Sequence, residues 1–284
     1  MNERKVPTRR VSFEEQLRGM PRHFAAEGDL ISSHIVAALS GVFPDGEDFF
    51  VRSVRKMRDR VTDPELKRQV AGFIGQEATH GREHRELNDR LAELGYPTKT
   101  VERITRRGLA IRERLLSDMS NLAATAALEH YTATFAEVLL TDPYVQELCG
   151  HAGVRDLLLW HALEESEHKA VAFDVYRAAG GSERLRVFTM NLITVAFLGS
   201  LTIQVVLSLA RDRATYRRGA LRASWRRVRR TPFLSRETWR RLRAYNRPGF
   251  HPDDRDNSTL VRQWRDELFG DGGRLAGLVA GAAA

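Results

Sequence analysis

Four short stretches of the chain place a carboxylate or an imidazole where a buried helix seam should carry Leu or Val. They read GEDFF at 46–50, GQEATH at 75–80, LEHYT at 128–132 and WHALEESEH at 160–168. Along 70, 73, 77, 80, 84, 87 and 91 the alternating three-and-four spacing of a seam reads Val, Phe, Glu, His, His, Leu, Leu. Along 154, 158, 161, 165, 168, 172 and 175 it reads Val, Leu, His, Glu, His, Ala, Val. The polar residues interrupt the apolar stripe instead of lying on a wet face. Unpartnered burial would cost several kcal/mol for each acid, and neither seam carries Lys or Arg.

The rest of the sequence says what kind of fold holds those seams. Strand signals are nearly absent. Helical periodicity is broken only by short turns such as TDPE (62–65), GYPT (95–98), TDPY (141–144) and CGHAG (149–153). The spacing predicts an all-α protein with helices near 26–41, 46–60, 64–94, 106–140, 153–178 and 183–210, then shorter ones. Glu47 and Glu77 each lie 15 residues from Thr62, so a hairpin folded there returns both acids to one height. Glu129 and Glu165 stand at comparable distances from the 141–152 connection. The domain reading is an N-terminal arm (1–24), a helical bundle (25–182), an apolar helix with an Arg-rich annex (183–270) and a tail (271–284) expected to fray.

A cation pair is the economical partner for these buried acids. Hard carboxylate oxygens with imidazoles suit iron or manganese, and four carboxylates neutralise two divalent ions. The candidate ligands are Glu47, Glu77, His80, Glu129, His161, Glu165 and His168, four carboxylates with two Glu-x-x-His pairs between helices. His84 continues the seam and reads as a support for a ligand. Glu164, Glu167, Glu83, Glu86 and Asp89 read as solvated faces. His130 points away from the seam, His151 falls in a loop, and Tyr131 and Tyr176 receive no role.

Charge is concentrated. Residues 211–247 hold fourteen Arg and two acids, a local +12 in a chain whose total is +8, which leaves the remainder at −4. Just before it, 187–210 contains no charged residue across 24 positions, long enough for a membrane-spanning helix. Its expected role is a fifth helix covering the bundle. Contact with an anionic membrane surface is the alternative, and RNA phosphates a less favoured one, since no stacking motif accompanies the arginines. The single cysteine, Cys149, fits a reducing compartment, and no signal peptide is read at the N-terminus. The expectation is a cytoplasmic homodimer with possible membrane association.

The order Glu47, Glu77-Ala-Thr-His80, Glu129, Glu165-Ser-Glu-His168 resembles that of the ferritin-like di-iron carboxylate proteins. His161, four residues before Glu165, resembles the extra ligand of the p-aminobenzoate N-oxygenase type. The stretch GVFPDGEDFFVRSVR (41–55) resembles the bacterial family described as predicted metal-dependent hydrolases. These resemblances imply a ferritin-like four-helix bundle with added C-terminal helices, holding two iron ions (or manganese, or one of each). The function they imply is O2-dependent oxidation of a small-molecule substrate, fed by a reductase or ferredoxin. Two-metal hydrolysis of an ester, amide or phosphoester is the alternative, with a tRNA- or lipid-modifying hydroxylase and non-catalytic metal storage as further ones.

Overall fold

The computed structural model describes residues 6–279, and among them there is no strand. The main helices are α1 (Leu30–Met57), α2 (Pro64–Glu93), α3 (Thr98–Leu115), α4 (Asp118–Thr141), α5 (Pro143–Leu148), α6 (Ala152–His168), α7 (Val171–Ala178) and α8 (Glu183–Ala210). The Arg-rich part supplies α9 (Ala220–Val228), α10 (Arg236–Ala244) and α11 (Ser258–Phe269). The chain is all-α.

Side-chain caps set the starts of α1, α2 and α4. Asp29 accepts from the Ser32 amide of α1 at 2.9 Å, Ser117 from Ser120 of α4 at 3.2 Å, and Asp63 caps α2 ahead of Pro64.

Boundaries differ from the expected ones in three places. The proline-glycine stretch at 41–46 does not end a helix, because α1 runs through Pro44 unbroken. Proline removes the N–H that would reach the carbonyl of Ser40. Asn88 Nδ2 of α2 donates to that oxygen at 2.9 Å, so the freed carbonyl is satisfied across the helix pair. Second, the stretch expected as one helix over 106–140 is two, because Ser117 adopts an extended conformation (φ −63, ψ 155) and caps α4. Third, 153–178 divides at Lys169–Ala170 into α6 and α7, although both residues stay in the helical region of φ/ψ.

Two apolar clusters lie at opposite ends of the packed helices. One gathers Phe13, Leu17, Ala37, Leu87, Leu91, Leu157 and Trp160; the other gathers Phe49, Val54, Val70, Phe73, Leu122, Tyr131, Val171 and Val175. Chain direction follows from this. α1 and α6–α7 run from the first cluster to the second, whereas α2 and the body of α4 run back. α3 packs on α1, α2 and α4 and returns the chain between them. Between the clusters α1, α2 and α6 bury polar side chains, among them Ser40, Glu47, Glu77, His80, Glu164, Glu165 and His168, and α4 adds Glu129 from within the second cluster's span.

Residues at both ends of the chain are packed. Val11, Phe13, Leu17 and Met20 of the N-terminal arm are buried in the first cluster, and Leu275 joins it from the tail that was expected to fray. The outermost tail positions, 280–284, lie outside the described residues. α8 packs on α1 and α4 along one side only. It covers the bundle as the expected fifth helix, with its opposite side left exposed.

Candidate metal centre

All seven candidate ligands meet in the polar layer, none more than 5% exposed. α1 contributes Glu47, α2 contributes Glu77 and His80, α4 contributes Glu129, and α6 contributes His161, Glu165 and His168. Ligand atoms of Glu77, Glu129 and His168 lie within 4.8 Å of one another, as do those of Glu47, Glu77 and His80, and those of His80, His161 and Glu165. Glu77 belongs to two of these groups. Glu165 Oε1 lies 2.9 Å from His161 Nε2, 3.7 Å from His80 Nδ1 and 3.6 Å from His168 Nε2, so it too faces both halves.

The protein alone does not satisfy this layer. Both oxygens of Glu47, Glu77 and Glu129, Glu165 Oε2, His80 Nδ1 and His168 Nε2 are buried without a hydrogen-bond partner. Buried polar atoms in native proteins are nearly always paired, so nine such atoms in one buried layer call for cations. Burial pushes Glu47 well above the usual carboxylate range, with Glu77 and Glu165 adding repulsion; burial and Glu129 do the same to Glu77. Burial lifts Glu129 to about 7. Glu165 moves the other way, well down, because His168 and His161 outweigh its burial.

The surroundings fix which nitrogen of each imidazole faces the centre. Gln76 Nε2 donates to Pro7 O (3.0 Å) and Glu167 Oε2 (2.9 Å), so Gln76 Oε1 accepts from His168 Nδ1–H at 2.8 Å. That turns Nε2 inward, 3.2 Å from Glu77 Oε1 and 3.3 Å from Glu129 Oε2. Against its burial, the charges of Glu165 and Glu129 raise His168 well above the usual histidine range, and a cation bound by these carboxylates would displace the Nε2 proton and take the lone pair. Glu164 in its ionised form accepts from His80 Nε2–H at 3.0 Å, which leaves His80 Nδ1 as the inward lone pair.

A longer chain orients His161. Asn88 Nδ2 is committed to Ser40 O and to Glu102 Oε1, so Asn88 Oδ1 accepts from the Ser40 hydroxyl at 2.7 Å. Ser40 Oγ then accepts from His84 Nδ1–H (2.9 Å), and His84 Nε2 accepts from His161 Nδ1–H (2.7 Å). His161 Nε2 is left with its lone pair toward Glu165 and Glu47. Burial, then the neighbouring His161, holds His84 well below the usual histidine range, consistent with a neutral ring in this relay. His84 thus acts through His161.

Two expectations are corrected. Glu164 and Glu167 are not solvated; they are 0% and 2% exposed and grip Arg9 from the N-terminal arm. Arg9 Nη1 donates to Glu164 Oε1 (2.9 Å) and Glu167 Oε2 (2.8 Å), and Nη2 donates to Glu167 Oε1 (2.8 Å). Arg265 of α11 also pairs with Glu167 at 2.7 Å. The seams do lack basic residues, but cations reach their backs from both ends of the chain. Burial pushes Glu164 up to about 8, with Arg9 pulling against it. Glu83 is likewise buried and accepts the Phe13 amide at 2.8 Å, while Glu86 and Asp89 are exposed as expected.

Other singled-out residues are engaged elsewhere. His130 reaches Arg241 O, Tyr131 donates to Thr194, Tyr176 donates to Ser182 O, and His151 stands at the start of α6. Aromatic rings close the layer: Phe73 lies 5.0 Å from His168, Trp160 4.9 Å from His80 and Phe43 5.1 Å from His161, centroid to centroid. A separate group of His23, His34 and Asp212 also has ligand-like spacing, but Arg22 Nε sits 3.1 Å from the same Asp212 oxygen and already supplies its positive charge.

No curated protein and no solved structure gives a significant match to this chain. One family model does, over residues 7–256, a span that includes every candidate ligand together with Arg9, His84 and Gln76. By that match the chain belongs to the family described as predicted metal-dependent hydrolases.

Proposed function

We propose that the protein is a two-metal enzyme of the helical carboxylate–histidine type and that its reaction is hydrolysis of an ester, amide or phosphoester bond in a small substrate. The observation that carries the metal assignment is the set of nine buried oxygen and nitrogen atoms with no hydrogen-bond partner, on residues whose ligand atoms gather in overlapping groups within 4.8 Å. The family's description puts hydrolysis first.

Glu129 and His168 would hold one ion and Glu47, His80 and His161 the other, with Glu77 and Glu165 near enough to both sets to serve either. Bound there, divalent ions supply Lewis-acid polarisation and a water acidic enough to ionise near neutral pH. The chain's own residues do the remaining work. Four carboxylates neutralise the ionic charge, Gln76, Glu164 and His84 hold the three imidazoles in the ligating tautomer, and Phe43, Phe73 and Trp160 exclude bulk water.

One observation favours a second reading, O2-dependent oxidation at a di-iron centre of the ferritin-like kind. The ligands are at most 5% exposed and packed against aromatic rings, which suits a small apolar reactant better than a bulky ester. A single experiment separates the two. Protein loaded with zinc or manganese and assayed under strict anaerobiosis against ester, amide and phosphoester panels should turn over if the reaction is hydrolysis. Inactivity there, with reductant-dependent O2 consumption by the iron-loaded protein, would replace hydrolysis with oxidation.

A further inference from the structure

We propose that α8 and the arginines that follow it form a docking surface for an anionic lipid bilayer, on which the protein lies flat. α8 is the one helix among the described residues long and apolar enough to cross a membrane, with a mean hydropathy of 2.1 in its central window, of which 6% is buried. Thr189, Met190, Val205 and Ser208 face inward, against α1 and α4. On the outward side Phe188 is 66% exposed, Val195 73%, Ile203 60% and Val206 56%. Helices on a soluble surface carry charge on that side, and an uncharged, mainly apolar stripe about 30 Å long, interrupted by Asn191, Ser200 and Thr202, marks a contact.

α8 does not span a bilayer in this arrangement, because one flank is committed to α1 and α4 along its length. It presents a face. The chain then enters α9, where Leu221 and Trp225, one helical turn apart, are 40% and 51% exposed. Around them Arg211, Arg213, Arg217, Arg218, Arg222 and Arg226 are exposed, and none pairs with a carboxylate among the described residues. Apolar residues with Trp, bordered by arginines, are what an interfacial anchor requires.

Charge identifies the occupant. A second copy would cover the stripe, but α8 is flanked by Arg184 at one end and the arginine group at the other. Either parallel or antiparallel pairing would set arginine against arginine. Nucleic acid would neutralise the arginines and leave the stripe in water. An anionic bilayer matches both features, and this inference is independent of the chemistry at the metal centre.

Co-flotation of the full chain with vesicles tests it. The protein should float with vesicles of phosphatidylcholine mixed with phosphatidylglycerol, bind pure phosphatidylcholine weakly, and release in high salt. Arg217→Gln/Arg218→Gln/Arg222→Gln should lower the partition coefficient by about 100-fold, each arginine near the surface being worth roughly five-fold. Val195→Glu/Ile203→Glu, both at exposed positions, should abolish binding with the circular dichroism unchanged. Absence of wild-type binding to the anionic vesicles would overturn the proposal, as would full binding by the folded Glu variant. A dimer split by the Glu pair, or salt-sensitive retention of RNA, with no vesicle binding in either case, would overturn it in favour of those partners.

Discussion

Replacing Arg9 with methionine keeps an apolar stem of similar length and removes the guanidinium that joins the N-terminal arm to α6. Three hydrogen bonds of 2.8–2.9 Å are lost. Glu167 retains Arg265 and Gln76, whereas Glu164 retains only His80. Removing one partner of a buried ion pair costs about 3–5 kcal/mol, and the surviving cation at Glu167 places this variant near 3 kcal/mol. At ~2 °C per kcal/mol for a chain of this size, the metal-free protein should melt about 6 °C lower. A second consequence concerns the centre. Burial disfavours the ionised Glu164 that accepts from His80, and Arg9, with a cation on His80 Nδ1, would favour it; without Arg9 the carboxyl is held protonated and donates to His80 Nε2. The His80 proton then moves to Nδ1, and a ligand is withdrawn. Metal affinity should fall 10- to 100-fold. Arg9→Met/Glu164→Leu separates the effects: with the buried carboxyl removed it should recover part of the melting temperature, yet His80 Nε2–H has no acceptor and the affinity should not return. Calorimetry of the chelated proteins and titration with Mn2+ measure both. An Arg9→Met protein that melts with the parent and binds metal as tightly would refute the reasoning.

His84→Leu leaves His161 Nδ1–H without an acceptor and frees the ring, so metal titration should show a 10- to 100-fold loss of affinity, with circular dichroism unchanged; unaltered binding would show that His161 does not ligate. Gly150→Ala should cost at least about 3 kcal/mol, because φ is +71 and a Cβ would stand 2.2 Å from Phe24 O; a soluble variant with the parental melting temperature would contradict the packing of residue 24 on the turn. His251 is lifted above its ordinary 6.5 by its hydrogen bond to Asp174. Its folded pKa being the higher, the stabilisation is complete below 6.5 and disappears as pH rises through the folded value. For a half-buried pair it amounts to no more than about 1 kcal/mol. The gap in melting temperature between wild type and His251→Gln should therefore narrow with rising pH, and a gap that widens would reverse the assignment.

How much of this was legible in the sequence depended on distance along the chain. The ligand-bearing seams were readable because helical periodicity is local: an acid at position 77 between Phe73 and Leu87 is conspicuous without any tertiary knowledge. The equal distances of Glu47 and Glu77 from Thr62 carried the hairpin register. Pro44 misled because its missing N–H is compensated by Asn88, 44 residues away. Glu164 and Glu167 looked solvated because their cation, Arg9, is more than 150 residues distant. The relay Asn88–Ser40–His84–His161 was hidden for the same reason, although His84 on the seam hinted at it. α8 was readable as apolar, but which side meets the protein is decided by α1 and α4.

The central claim is that two cations hold the buried carboxylates of α1, α2, α4 and α6. Elemental analysis of the purified, folded chain tests it most directly. Two equivalents of iron, manganese or another divalent ion per chain are predicted, with loss of both in Glu77→Ala, since that side chain reaches both sets of ligands. A monodisperse wild-type protein that takes up no stoichiometric metal when supplied with it, or a Glu77→Ala variant that keeps the full complement, would contradict the account.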